Sequence, residues 1–162
     1  MKKFFVMALL CAAAFAGAAE KNLAPAKWHV YGKNDANQQT VITKEGIINS
    51  SVKTPQGYGT GVVSSLHFAQ PLTGSITFGA ESKAEDVKGK SFYGYSVYLD
   101  LTFADGKKLY GKTAIFSGGT HDWEKKSTTV KLEKPLKSVN FYILFRNVSG
   151  KASFRNIFFY NK

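Results

Sequence analysis

The chain of 162 residues carries 22 Lys or Arg residues against 11 Asp or Glu residues, and its formal net charge is +11 at pH 7. This length suits a single domain with its own hydrophobic core, and the excess of positive charge favours anionic partners. Only Arg146 and Arg155 are arginines. Because bidentate contacts to guanine and phosphate favour arginine over lysine, the composition argues against a nucleic-acid partner.

Residues 1–19 have the pattern of a secretory signal peptide. Lys2 and Lys3 precede an apolar run over residues 4–15, and small residues at positions 17–19 offer a cleavage point. The apolar run is shorter than the ~20 residues that a membrane-spanning helix needs. The one cysteine, Cys11, lies in this segment, so we expect neither a disulfide nor thiol chemistry in the mature chain. We expect an exported protein, secreted, periplasmic or held at the cell surface, with a single domain over residues 20–162.

Alternating apolar residues predict β-strands along that domain. In chain order, the candidate strands are residues 40–43, 46–52, 61–68, 75–81, 91–103, 108–116, 123–132, 138–147 and 152–160. Residues 104–107, with the dipeptide Asp105-Gly106, predict a hairpin turn in which two residues have positive φ. No long segment has helical periodicity. The sequence therefore predicts an all-β fold, a two-sheet antiparallel β-sandwich of the jelly-roll type.

The two longest alternating segments each predict one core face and one polar face. The core faces carry Tyr93, Tyr95, Val97, Leu99, Leu101 and Phe103 on one segment, and Val139, Phe141, Ile143 and Phe145 on the other. The opposite faces carry Tyr98, Asp100, Asn140, Tyr142 and Arg146. Sugar rings stack on aromatic side chains and their hydroxyls need polar partners, so these five residues form a candidate sugar-binding surface if the two strands share a sheet. An outward tyrosine can also reflect β propensity alone.

A second candidate sugar site lies in the loops at the rim of the sandwich. Its residues are Trp28, Tyr31, Tyr58 and His121. They supply the same combination of aromatic and polar side chains. The sequence does not decide between the two surfaces.

Motifs for phosphate binding, metal binding and serine nucleophiles lack their required context. The glycine-rich residues 57–61 are followed by a predicted strand, whereas a phosphate loop needs a helix N-terminus. His29, His67 and His121 lie far apart, without a spacing that presents two metal ligands on one face. We expect no metal, no cofactor and no Gly-x-Ser-x-Gly nucleophile.

The stretch "GGTHDW" at residues 118–123, continued by Glu124, contains the one carboxylate pair that a glycosidase could use. On a strand, Asp122 and Glu124 would share a face about 6.5 to 7 Å apart, a separation that suits glycoside hydrolysis. Lys125 and Lys126 follow at once, which is typical of a solvated strand edge. A catalytic acid needs a raised pKa, and such an edge would not provide one. We expect a glycosidase to be the least favoured function.

Several segments together resemble carbohydrate-binding modules of the galactose-binding-like jelly-roll class. They are "EGIINSS" near residue 48, "SKAEDV" at residues 82–87, "YLDLTFADG" at 98–106, "GTHDW" at 119–123, "LFR" at 144–146 and a closing strand around Phe154. The resemblance covers most of residues 20–162. It implies binding of a glycan without catalysis.

The resemblance also implies roles for two positions in these segments. In that class the tryptophan of the "GTHDW" motif opens a strand and packs into the core, as the large apolar surface of Trp123 also favours. Members commonly close with a Phe followed by two Asp residues, one of which contributes to a bound calcium. Here Phe154 is followed by Arg155 and Asn156, which removes the hard anionic ligands that calcium prefers.

Three function classes follow in order of preference. The first is a secreted non-catalytic domain that binds a glycan or polysaccharide, including an anionic one. The second is an exported structural or protein-interaction β-sandwich, and the third is a glycosidase that uses Asp122 and Glu124. A glycan array on the mature protein discriminates the first two.

Overall fold

Ten β-strands and one 3₁₀ turn make up residues 20–55, 57 and 59–162, the part of the chain that the computed structural model describes. In chain order they are β1 (His29–Tyr31), β2 (Gln38–Ile42), β3 (Ile48–Val52), β4 (Gly59–Leu72), β5 (Ser75–Lys88), the 3₁₀ turn (Phe92–Gly94), β6 (Tyr95–Phe103), β7 (Lys108–Ile115), β8 (Gly119–Lys131), β9 (Leu136–Arg146) and β10 (Ser149–Asn161). The all-β prediction is confirmed.

The strands form two antiparallel five-stranded sheets. Sheet A has the order β1-β4-β9-β6-β7, and sheet B has the order β2-β3-β10-β5-β8. Successive strands often change sheet: β1 lies in sheet A and β2 in sheet B. Long central strands, β9 in sheet A and β10 in sheet B, contact a neighbour on each side. The predicted antiparallel β-sandwich is therefore confirmed.

The core fills the space between the sheets with aromatic and branched side chains. Phe141 of β9 is fully buried and its ring contacts Phe78 of β5 and Phe159 of β10, with centroids 6.4 and 6.2 Å apart. A second cluster surrounds Tyr95, whose hydroxyl bonds to the Ser82 hydroxyl at 2.6 Å. The rings around Tyr95 are Phe116, Phe145 and Phe154. The predicted core faces are buried from Tyr95 to Phe103 on β6 and from Val139 to Phe145 on β9, as the two-residue period of a strand requires.

Tyr93 departs from the predicted core face. It lies in the 3₁₀ turn, where the Ser91 side chain accepts a hydrogen bond from the Tyr93 backbone N–H. A 3₁₀ turn breaks the two-residue period of a strand, so Tyr93 does not continue the face of Tyr95. Its side chain is 40% exposed, and the prediction that it belongs to the core is wrong.

Several strand ends also differ from the prediction. β1 has only three residues, which is too short for a periodicity argument, and it was not predicted. β4 and β5 are each 14 residues long and extend beyond the predicted ends. β8 begins at Gly119, four residues before the predicted start, and its pairing with β5 is interrupted by bulges.

The hairpin between β6 and β7 lies where it was predicted, but its geometry differs. Only Gly106 has positive φ, at +82°, while Asp105 does not. The Gly106 N–H donates to the Phe103 carbonyl at 3.0 Å, and the Asp105 carboxylate accepts from the Lys107 N–H at 3.0 Å. This is a turn closed by a left-handed glycine rather than one with two left-handed residues.

The predicted signal peptide, residues 1–19 with Cys11, lies outside the described residues. Within the residues that are described, no helix has the length and apolar character needed to cross a membrane.

Candidate functional site

The five residues predicted for a sugar-binding surface lie on the outer face of sheet A. β6 and β9 are neighbours, and their register pairs Tyr98 with Tyr142 and Asp100 with Asn140. Arg146 follows on the same face at the end of β9. The flanking residues of both strands point into the core, so these side chains point away from sheet B. The structure thus brings the five together, as expected for strands that share a sheet.

Four tyrosines form a continuous row across this face, which we call the tyrosine row: Tyr31, Tyr142, Tyr98 and Tyr93. Successive ring centroids are 5.7, 5.6 and 6.3 Å apart, and each pair meets edge to face. The first three side chains are half-buried and Tyr93 is exposed. Edge-to-face contacts of this kind hold aromatic rings in fixed orientations. The row is therefore a preformed aromatic surface.

Polar groups lie directly beside the row. Asn140 is exposed, and its side-chain oxygen accepts a hydrogen bond from the Ser65 hydroxyl at 2.8 Å. That bond orients the amide so that its nitrogen remains available as a donor, since no described residue accepts from it. The half-buried Asp100 carboxylate accepts a long 3.4 Å contact from the Gly111 N–H and lies beside the Tyr98 hydroxyl. The surface therefore offers an amide donor and a carboxylate acceptor next to aromatic rings.

The phenol groups of Tyr98 and Tyr142 are held in their protonated form. Burial and the neighbouring Asp100 carboxylate raise the pKa of Tyr98 to about 12. Burial, with the added effect of Asp100, also raises the pKa of Tyr142. Both hydroxyls are therefore neutral at physiological pH and able to donate hydrogen bonds.

Arg146 lies beside Tyr98 in the row. Its guanidinium carbon lies 5.9 Å from the centre of the Tyr98 ring. The Nε atom is buried and has no hydrogen-bond partner among the described residues. When a guanidinium stacks on an aromatic face, its N–H groups lie in the plane of the guanidinium. They therefore remain available as hydrogen-bond donors to a ligand.

The predicted rim site is not assembled as a unit. Trp28 packs edge to face against the core residue Phe141, with centroids 5.5 Å apart. Tyr31 instead joins the tyrosine row, and His121 lies on β8 of the opposite sheet. Tyr58 lies outside the described residues. The structure therefore does not bring Trp28, Tyr31 and His121 together as one rim site, and Tyr31 belongs to the first surface.

Sequence reasoning missed Tyr31 and Tyr93 as members of the surface around Tyr98. Tyr31 belongs to a strand of three residues, although the alternation of His29 and Tyr31 with Val30 is a weak signal for it. The signal for Tyr93 is the Ser91 cap and Gly94, which mark a turn before β6. Both residues come from short elements that only tertiary packing places beside the long strands.

Trp123 does not pack into the core, and the prediction that it does is wrong. The register of β8 with β5 pairs Glu124 with the buried Ser82, so the side chain of Trp123 lies on the outer face of sheet B. There the indole is half-buried, and the Arg155 guanidinium carbon stacks 3.9 Å from its ring centre. β8 is an edge strand, where neither face is fully enclosed.

The rest of the "GGTHDW" segment has structural contacts. The Nδ1 atom of His121 lies 2.7 Å from the Asp122 carbonyl, and its Nε2 atom lies 3.0 Å from the Ser117 carbonyl. The Tyr95 hydroxyl lies 3.5 Å from the same Nε2. Gly119 has a φ of +87°, which suits the predicted glycine turn. These contacts tie the loop before β8 to the core.

Asp122 and Glu124 have different partners and do not face one another as a pair. Asp122 is exposed, contacts Lys83 at 3.3 Å and accepts from the Trp123 N–H at 2.9 Å. Glu124 accepts from the Ser117 N–H at 2.6 Å and from the Ser117 hydroxyl at 3.0 Å. A bulge in β8 between His121 and Glu124 breaks the two-residue alternation of the strand. Contrary to the expectation, the side chains of Asp122 and Glu124 therefore do not point to the same face.

Both carboxyl groups are held ionised. The backbone hydrogen bond from Trp123, with help from Lys83, lowers the pKa of Asp122. Burial raises the pKa of Glu124, but the hydrogen bonds from Ser117 and Lys126 outweigh burial and lower it overall. Neither group can supply a proton to a leaving group near neutral pH.

We therefore expect no glycoside hydrolysis by Asp122 and Glu124. The measurement is release of reducing sugar from polysaccharides and of chromophore from chromogenic glycosides, comparing the wild type with the Asp122→Asn, Glu124→Gln double variant. Both proteins should give the background rate. Turnover by the wild type that is lost in the double variant would contradict this expectation.

The position after Phe154 is occupied by a cation. Arg155 Nε donates to the Glu81 carboxylate at 2.8 Å, and this bond lowers the pKa of Glu81. No cluster of three or more His, Cys, Asp or Glu side chains with a metal-binding arrangement occurs among the residues that the structure describes.

Several solved structures with this fold are carbohydrate-binding modules. A CBM4 structure superposes with a TM-score of 0.56 and 8% identity, covering 83% of this chain and 86% of the other. The xylan-binding module CBM15 has a TM-score of 0.51 and 12% identity over 90% and 97% of the two chains. The CBM22-1 xylan-binding domain of Paenibacillus barcinonensis Xyn10C has a TM-score of 0.50 and 10% identity over 83% and 85%. The protein has the jelly-roll fold of carbohydrate-binding modules, which confirms the predicted resemblance.

Sequence comparison finds a different and much more limited relationship. No family model matches the sequence. A segment of 84 residues is 32% identical to the tRNA nuclease WapA of Bacillus subtilis, which is 51% of this chain but 4% of that protein. The chain therefore spans a small fraction of the length of the curated relatives that it matches.

Proposed function

We propose that the protein is an exported, non-catalytic domain that binds a glycan on the outer face of sheet A. The tyrosine row and the adjacent Asp100 and Asn140 side chains carry this proposal. Sugar rings present C–H surfaces to aromatic rings, while their hydroxyls pair with planar polar groups. Both kinds of partner are preformed on this face. Export rests on the sequence of residues 1–19.

The outer face of sheet B is a poorer candidate, although it also carries aromatic rings. Arg155 stacks on Trp123, and Lys125 Nζ lies 4.8 Å from the centre of the Phe158 ring. Arg155 also pairs with Glu81 at 2.8 Å. Because cations already cover these rings, a sugar would have to displace them. In the tyrosine row the rings contact mainly one another.

The solved neighbours support a polysaccharide as the ligand class. Two of those described above are named as xylan-binding, which is a property of those proteins. Xylan is therefore the first polysaccharide to test. The match to 4% of a tRNA nuclease does not extend that enzyme's activity to this chain.

The lowered pKa values of Asp122 and Glu124 support the absence of catalysis in this proposal. They leave both groups as carboxylates at neutral pH, so neither has a proton to give to a leaving group. Binding by the tyrosine row requires no proton transfer. The proposed domain therefore retains a glycan without cleaving it.

We expect Tyr142→Ala to weaken binding of the glycan about tenfold or more, because it removes the ring that contacts both Tyr31 and Tyr98. A glycan array on the purified protein identifies the ligand, and isothermal titration calorimetry measures its affinity. Tyr160→Ala is the matched control. Tyr160 is a half-buried tyrosine stacked on Phe158 on the outer face of sheet B, with centroids 5.4 Å apart. Its loss should change the affinity less than about twofold.

Two outcomes would overturn the proposal. Equal effects of Tyr142→Ala and Tyr160→Ala would place the binding surface elsewhere. An array on which no glycan binds, together with specific recovery of a protein partner, would establish the protein-interaction alternative. Melting temperatures of all variants show whether each has kept its fold.

A further inference from the structure

A cleft of about 620 Å³ opens where the tyrosine row reaches the end of sheet A. Its walls are the end of β9, the start of β10 and the loop that joins β5 to the 3₁₀ turn. Tyr93 and Arg146 line the cleft, and both also contact Tyr98. The ring centroids of Tyr93 and Tyr98 are 6.3 Å apart, and the Arg146 guanidinium carbon lies 5.9 Å from the centre of the Tyr98 ring. This volume falls within the range of ligand sites. The cleft therefore continues the proposed glycan-binding surface.

The charge of the cleft is positive. Its described lining residues include Lys88, Lys90 and Arg146 and contain no carboxylate. Lys88 is paired with Asp86 at 2.7 Å. Lys90 and Arg146 form no ion pair with any described residue. Two cations are thus left without a counter-charge beside a cavity, a combination that favours an anionic ligand.

Two glycines, Gly59 and Gly94, leave the space that the Arg146 side chain occupies. A Cβ atom on Gly59 would lie 1.8 Å from the Arg146 Cβ, and one on Gly94 would lie 2.7 Å from its Cγ. These distances are too short for any side chain, so only glycines leave room for the arginine stem between the neighbouring strands. The stem is confined, and the guanidinium is presented at the boundary between cleft and row. Its buried Nε has no partner among the described residues.

We propose that the cleft binds the anionic substituent of an acidic glycan while the tyrosine row binds an adjacent sugar ring. The substituent is a uronic-acid carboxylate or a sulfate ester, since both present coplanar or clustered oxygens to a guanidinium. This inference rests on the proposed function of the tyrosine row. It adds a ligand class that the fold does not specify.

The test compares three oligosaccharides of equal length: an uncharged one, an oligouronide and a sulfated one. Calorimetry gives, for each protein, the ratio of its affinity for the acidic ligand to its affinity for the uncharged ligand. Damage to the tyrosine row would weaken both affinities alike and would leave this ratio unchanged. We expect Arg146→Gln to lower the ratio about tenfold, and Lys90→Gln to lower it about threefold. Lys137→Gln is the charge-matched control, because Lys137 is exposed at the opposite end of β9. It should leave the ratio unchanged.

The two acidic ligands identify which anion is recognised, and an Arg146-dependent ratio for either supports the inference. Lys90→Gln serves as the second variant because Lys90 is exposed in the loop before the 3₁₀ turn. A ratio that falls equally in Arg146→Gln and Lys137→Gln would overturn the inference, as would a wild type that prefers the uncharged ligand. In either case, loss of uncharged binding in Tyr142→Ala leaves the proposed function standing. Failure of all three oligosaccharides to bind overturns this inference, whereas the proposed function is then decided by the glycan array.

Discussion

Phe141→Ala should lower the free energy of unfolding by about 3 to 5 kcal/mol, whereas Trp123→Ala should lower it by only about 1 to 2 kcal/mol. Phe141 is fully buried between the sheets and contacts Trp28, Phe78 and Phe159. Its removal leaves a cavity that the surrounding rings cannot fill. Trp123 is half-buried on the outside of sheet B, where its main contact is the Arg155 guanidinium.

Urea denaturation of both variants and the wild type measures this difference. Arg155→Gln is the control for the Trp123 contact, and combining it with Trp123→Ala in a double-mutant cycle isolates the stacking energy. Arg155 also bonds to Glu81, so the single Arg155 variant includes the loss of that bond. A Trp123→Ala cost as large as that of Phe141→Ala would contradict the observed position of the indole.

The fold could be predicted from the sequence where strands are long and lie inside a sheet. β6 and β9 are neighbours in sheet A, and each has one face enclosed by sheet B. Under those conditions polar residues are excluded from every second position, and the alternation seen in the sequence identifies the face correctly. Tyr98 and Tyr142 pair because β6 and β9 are neighbours in one sheet. The sequence predicted the outward faces of the two strands, but it did not show that the strands are neighbours.

The same reasoning failed where a strand is at an edge or is too short. β8 is an edge strand of sheet B, so both its faces tolerate polar residues and alternation does not identify the inner face. Trp123 was assigned to the core from the resemblance and from its size, whereas in the structure its ring lies on the outer face and stacks on the Arg155 guanidinium. Tyr31 and Tyr93 belong to elements of three residues each, where no period can be measured.

The candidate site depends on packing that no local pattern encodes. The sequence shows Arg146 after an alternating strand, but its confinement depends on Gly59 and Gly94, which are distant along the chain. Likewise, Asn140 is oriented by Ser65 on the neighbouring strand, 75 residues away. Such contacts require the strand register, which is fixed by the assembled sheets. The residue types of the site were predictable, whereas their mutual arrangement was not.

Gly61 couples the stability of sheet A to the geometry of the tyrosine row. It lies on β4 with a φ of +149°, paired with Tyr31 on one side and Leu144 on the other. A Cβ atom at this position would lie 2.0 Å from the Ile143 carbonyl oxygen on β9. That atom belongs to the backbone of the sheet and cannot rotate away. Any side chain at position 61 must therefore push β4 and β1 away from β9, and so separate Tyr31 from Tyr142.

We expect Gly61→Ala to lower the free energy of unfolding by about 3 kcal/mol or more, because backbone strain and overpacking add together. Gly46→Ala is the matched control. Gly46 also has positive φ, at +78°, but a Cβ there meets no atom within 4 Å, so its cost should be about 1 kcal/mol from backbone strain alone. Urea denaturation gives both values, and titration with the glycan identified on the array tests the coupling. Gly61→Ala that still folds should bind the glycan more weakly than the wild type, while Gly46→Ala should bind it equally well. Equal costs for the two substitutions would contradict the close approach of β4 and β9, and unchanged binding by folded Gly61→Ala would mean that Tyr31 is not needed in the row.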